Sequence, residues 1–134
     1  MQSSLPHHAS ELLNALRELD LGIQKHTSWL KGLHRSLICI SAPNADDVMD
    51  DAHCRCQFGQ WYYGQPHPEL QEDEGFGKIG ALHQAVHDSA RKLLFKCRDD
   101  RSISPDEYNQ FMDTAIQFKF EVGRLQTNII NQIC

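Results

Sequence analysis

The sequence predicts an all-α protein: an antiparallel helical bundle of three long helices, with one or two short helices between the first and the second. Apolar residues return at alternating steps of four and three through three long windows, the spacing that lines one face of a helix. No window alternates valine, isoleucine or threonine with polar residues, so strand signals are nearly absent. A chain of 134 residues can bury one sizeable core, and residues 1–134 are expected to form a single domain.

The first long helix is expected from about Ser10 to Leu37, with Leu12, Leu16, Leu19, Ile23, Leu30, Leu33 and Leu37 along one seam. His26 fills the gap in that seam between Ile23 and Leu30, and Trp29 follows on nearly the same side. Ser41-Ala42-Pro43-Asn44 ends the helix, and Asn44 can cap a short acidic one with Asp46 and Asp47 in its first turn, finishing near His53. The aromatic-rich stretch Cys54 to Gly64 predicts a short helix or tight turn anchored by Phe58 and Trp61, with a cysteine sulfur turned inward. Residues 65–77 read as a turn-rich, acidic connection. The next long helix is expected over 78–96, with Cys97 on its packing face and a polar loop at 99–103. Ser104-Pro105-Asp106-Glu107 is a start signal: a serine cap, proline at the first helical position and glutamate at the third. The last helix then carries Phe111, Ala115, Phe118, Val122, Leu125 and Ile129, with no stop signal before Cys134.

Within the second long window, Leu82-His83-Gln84-Ala85-Val86-His87 sets two imidazoles four residues apart. At about 100° per residue that step returns to the same side of the helix. Ile79, Leu82, Val86, Ala90, Leu93 and Leu94 make that side the inner one. Buried imidazoles without polar partners cost roughly several kcal/mol, whereas imidazoles that share one cation satisfy each other. His26, also on a core seam, becomes a third donor if the bundle brings it alongside. Three such nitrogens and a thiolate would suit zinc in a closed, non-catalytic shell. Spacing alone leaves the fourth donor open among His53, Cys54 and Cys56.

The remaining histidines and cysteines have plainer readings. His7 and His8 fall at an end expected to fray, His34 points about 80° away from His26, and His67 sits between Pro66 and Pro68. Five cysteines without a framework spacing are expected to be reduced thiols; Cys39 and Cys97 read as small apolar residues, and Cys134 has no partner in sequence. A net charge of −5 with scattered basic residues argues against a nucleic-acid partner. No apolar run approaches the roughly 20 residues of a membrane span, and Met1 to Ser10 lacks a signal-peptide core, so a cytoplasmic location is expected.

Cys56-Gln57-Phe58-Gly59-Gln60-Trp61-Tyr62 matches the pattern Cys-x-(Leu/Phe)-Gly-x-Trp-(Tyr/Leu), preceded by His26-Thr27-Ser28-Trp29 and followed by His83-x-x-x-His87. In this order the residues resemble the chemoreceptor zinc-binding family, the CZB domains. The resemblance implies Zn2+ held by His26, Cys56, His83 and His87 in a bacterial, cytoplasmic helical bundle that forms a homodimer. It also implies a regulatory domain linked covalently to an output module, either a chemoreceptor signalling region or a diguanylate cyclase, the enzyme that makes cyclic di-GMP. Because the chain opens almost directly on the first ligand helix and its last helix runs uncapped, the expectation is an amino-terminal sensor of a diguanylate cyclase, helix 104–134 beginning the connector. The cyclase's own Gly-Gly-Asp/Glu-Glu-Phe motif is missing, so no cyclase activity can come from these residues.

Other chemistries fit less well. A zinc peptidase helix reads His-Glu-x-x-His, and here Gln84, which cannot take a proton, follows His83. A di-iron bundle needs bridging carboxylates on several helices, and Glu121 is the one acid near a core position of the last helix. A second use of the same atoms is redox sensing, in which an oxidant such as hypochlorous acid attacks the zinc-bound thiolate and Cys54 resolves it. A site with net charge +1 is expected to recruit a carboxylate to the free nitrogen of a ligand histidine.

Overall fold

The computed structural model describes residues 7–133, with side chains described for 9–131. Three long helices carry the core: α1 (His7–Cys39), α5 (Glu74–Asp100) and α6 (Pro105–Ile133). Each turns its expected seam to the core, where Leu16, Ile23, Leu30 and Leu82 are partly buried and the rest fully so. Leu12, Leu19, Leu33 and Leu37 of α1, Ile79, Val86, Ala90, Leu93 and Leu94 of α5, and all six apolar positions of α6 are buried in one cluster. No strand occurs among the described residues.

α5 and α6 form an antiparallel hairpin closed by residues 101–104. Arg101 ends α5 in the left-handed conformation (φ 54°), where its N–H bonds to the Cys97 carbonyl at 2.9 Å. α1 runs parallel to α5 and antiparallel to α6. His26 meets His83 and His87 while the Cys97 thiol reaches the Leu37 carbonyl at 3.8 Å; toward α6, His26 meets Phe118 and His34 bonds the Tyr108 hydroxyl at 3.1 Å. The segment between α1 and α5 must therefore travel back along the bundle.

It does so as a series of short helices: a 3-10 turn (Ala45–Val48), α2 (Ala52–Arg55), α3 (Gln57–Tyr63) and α4 (Pro68–Glu72). This is more helix than one or two short elements. Asn44 caps the 3-10 turn as expected, accepting from the Asp46 N–H at 3.0 Å. The stretch 65–77 is not a simple turn-rich connection. Pro68 starts α4 with its fixed φ, His67 Nδ1 accepts from the Glu69 N–H, and the Asp73 carboxylate caps α5 through the Gly75 N–H at 2.8 Å, so α5 begins four residues before Lys78. α1 likewise starts at His7; the side chains of His7 and His8 and all of Cys134 lie outside the described part.

Two glycines fix how closely α3 can approach. A Cβ on Gly59 would collide with the His53 carbonyl, and one on Gly80 would collide with the Tyr62 hydroxyl. With both bare, the end of α2 folds onto α3, and Tyr62 lies along α5, bonding the Phe76 carbonyl at 2.6 Å and stacking on the Phe76 ring at 4.3 Å. Among the described residues no helix is long and apolar enough to cross a membrane.

Candidate metal centre

α1 and α5 lie side by side where His26 faces the His83 and His87 pair, and the three imidazoles close into a cluster. Their centroids are 4.7 to 5.6 Å apart, and one ligand atom from each lies within 4.8 Å of the others. All three are buried. Phe58 packs on His83 at 4.8 Å, Phe118 on His26 at 4.9 Å, and Trp29 on His87 at 4.4 Å, so the surroundings are aromatic rather than aqueous.

Burial in such a shell disfavours the imidazolium, and at His83 and His87 charge repulsion from neighbouring rings adds to it. His26 is held down to about 4 by burial. His87 falls to about 3 and His83 to about 2, through burial first and then the neighbouring imidazoles, His53 included. All three are therefore neutral near pH 7, each offering one nitrogen lone pair.

Cys56 stands at the elbow between α2 and α3. Its extended backbone ends the one helix and begins the other, and its Sγ caps α3 by accepting from the Gly59 N–H at 3.3 Å. The same sulfur lies 3.2 Å from His83 Nε2. Burial raises its thiol above the ordinary range; the N–H groups of Gly59 and Phe58 oppose that rise, and the charges of Asp47 and Cys54 add to it. Cys54, two residues earlier, is exposed.

Five buried side-chain nitrogens lack any hydrogen-bond partner among the described residues: His26 Nε2, His83 Nδ1, both nitrogens of His87, and His53 Nδ1. Native proteins leave few such atoms, since each costs about 1–3 kcal/mol. Unpaired imidazole nitrogens gathered beside a sulfur are the donor set that a borderline-soft divalent cation satisfies. The residues fit a metal.

The model of the chemoreceptor zinc-binding domain matches residues 26–94, just over half of the chain, from His26 to shortly beyond His87. This chain belongs to the chemoreceptor zinc-binding family. The CZB domain is a zinc-binding sensory domain, and His26, His83 and His87 are placed to hold the ion. No curated protein and no solved structure matches the chain.

Several features of this CZB domain were not legible beforehand. Among the described residues no carboxylate reaches the partnerless nitrogens of His83 or His87; Asp47 instead accepts from the Trp29 indole at 2.9 Å. Glu121 is buried, but its oxygens face Lys78 at 3.5 Å and Arg124 at 3.3 Å. Phe118 was visible as a core residue of α6, yet nothing in its spacing showed that it forms a wall of the site. The plain readings of His34 and His67 agree with the structure, where they bond Tyr108 and cap α4.

Proposed function

We propose that His26, His83, His87 and the Cys56 thiolate bind one zinc ion in a closed tetrahedral shell, and that occupancy of this shell is the signal passed to a covalently linked output module. The observation that carries this reading is the Cys56 sulfur 3.2 Å from His83 Nε2, at the edge of three buried imidazoles that have no other use for their lone pairs. Bound zinc would supply a +2 charge that takes one lone pair from each donor. A closed shell leaves no position for substrate, and Gln84 cannot serve as a base, so the domain is read as regulatory and not catalytic.

The protein groups suggest how occupancy travels. His26 belongs to α1, Cys56 to the α2–α3 elbow and His83 and His87 to α5, so four donors gather the bundle at one point. Phe118 touches both His26 and His83, and any resetting of these rings bears on α6. α6 also carries an outward stripe spaced by four and three, with Ile116, Phe120, Thr127 and Ile130 exposed and Gly123 half-buried among them. Phe120 is 61 % exposed, while the space where a Gly123 side chain would sit is open. A projecting ring one turn from a dimple on the same helix is what a two-fold pair needs, and supports a homodimer built on α6.

The output module in this reading is a diguanylate cyclase in a bacterial cytoplasm, with a chemoreceptor signalling region as the other arrangement the family suggests. Oxidation of the Cys56 thiolate is a second input, supported by the exposed Cys54 thiol two residues away. Elemental analysis of the purified protein tests the core of the reading. One zinc per chain, absent after His83→Ala, supports it; two irons, or no metal after zinc loading, would replace it. The reading frame downstream of residue 134 tests the choice of output.

A further inference from the structure

Of the five buried nitrogens without a partner, four belong to the three clustered histidines, and the fifth is His53 Nδ1. His53 lies in α2, three residues before Cys56, and its carbonyl is 3.9 Å from the Cys56 sulfur. α2 packs against α5, the helix of His83 and His87. The charge of His53 is felt at both of them, where it helps to keep the imidazoles neutral. Its own ring is not within the cluster of three; it rests edge-on against Tyr63, with centroids 6.1 Å apart. A single-turn helix that ends at the Cys56 elbow thus holds an imidazole with a partnerless Nδ1 one turn behind the sulfur.

We propose that His53 is a reserve ligand: when the Cys56 sulfur is removed or blocked, His53 Nδ1 takes its place, and a three-histidine, one-cysteine centre becomes a four-histidine centre. This rests on the four-donor reading above. The exchange breaks one metal–sulfur bond and forms one metal–nitrogen bond, with no change of oxidation state. Zinc accepts either donor at similar distances, about 2.3 Å for sulfur and about 2.0–2.1 Å for imidazole. α2 is a single turn, Ala52–Arg55, that joins α3 directly at Cys56, so His53 and Cys56 belong to one short stretch of backbone beside α5. A domain built this way changes donor set without releasing its ion.

Cobalt titration of the whole chain separates the possibilities. Wild type is expected to bind one equivalent with a thiolate-to-cobalt charge-transfer band, and His53→Ala is expected to do the same. Cys56→Ser should still bind one equivalent, without the band, and Cys56→Ser/His53→Ala should bind about 100-fold more weakly than Cys56→Ser, the cost of one further donor. Equal affinities for the last two proteins would overturn the proposal. Absence of the band in wild type would instead overturn the four-donor reading on which it rests. Nitrogen NMR of the imidazoles needs no second substitution: on adding zinc to Cys56→Ser, the His53 Nδ1 resonance should shift to that of a bound nitrogen, and an unmoved resonance contradicts the proposal.

Discussion

The Cys56 sulfur lies 3.2 Å from Nε2 of His83, 27 residues away in the chain. That contact depends on a sharp elbow, because Cys56 must end α2 and start α3 within one residue. The elbow depends in turn on Gly59, whose Cα rests against the His53 carbonyl with no space for a side chain.

Gly59→Ala should therefore open the elbow. The clash is with backbone, which cannot rotate out of the way, so a loss of about 3 kcal/mol is expected, at the upper end of overpacking costs. Thermal unfolding measures it, and zinc affinity should fall with it because the sulfur moves.

The metal-free domain should be sensitive to acid. The three imidazoles ionise near 6.5 in the unfolded chain but are held to about 4, 3 and 2 when folded, so below pH 6.5 the unfolded state takes up protons first. Stability is then lost as pH falls from about 6.5 toward 4, by up to about 4 kcal/mol per pH unit if all three contribute in full. Urea unfolding across that range checks it; a flat profile would mean that the rings are not buried in neutral form. Protons compete with zinc for the same lone pairs, so the loaded domain should release its ion over the acidic side of the same window.

If the proposed homodimer is built on α6, Phe120→Glu should make the domain a monomer without changing zinc stoichiometry, since Phe120 projects from the outer side of α6 while Phe118 faces the site. Analytical ultracentrifugation of the two proteins decides it. A dimer that survives the substitution places the interface elsewhere.

Arg101→Gly should stabilise the domain by about 1 kcal/mol, because a side chain at positive φ is strained and glycine is not. Zinc binding should be unchanged, as residue 101 closes the end of the α5–α6 hairpin away from the histidines.

The long helices were readable because each repeats its apolar seam for many turns, so the period overrides local noise. The short ones were not: α4 buries only Leu70, and the start of α5 combines Glu74, Gly75 and Gly77, which look like loop residues until Asp73 is seen to cap them. His26, His83 and His87 betrayed themselves by occupying core positions, which is information the sequence carries. Cys56 did not, since its direction is set by a turn of backbone and by a carbonyl six residues before Gly59; spacing could not separate it from Cys54 or His53, and the motif had to. The parallel course of α1 and α5 was equally hidden, because it follows from the length of the intervening segment folding back as helices. The expected carboxylate does not meet the partnerless nitrogens of His83 and His87 among the described residues; Asp47 accepts instead from Trp29, on a part of α1 that only the fold brings beside it.

Cobalt binding followed by absorbance puts the convergence of sulfur and three imidazoles to the most direct test. Saturation at one equivalent per chain, with a thiolate-to-cobalt charge-transfer band and the visible bands of a tetrahedral ion, is the result predicted. Saturation without the charge-transfer band, or no saturable binding, would contradict it.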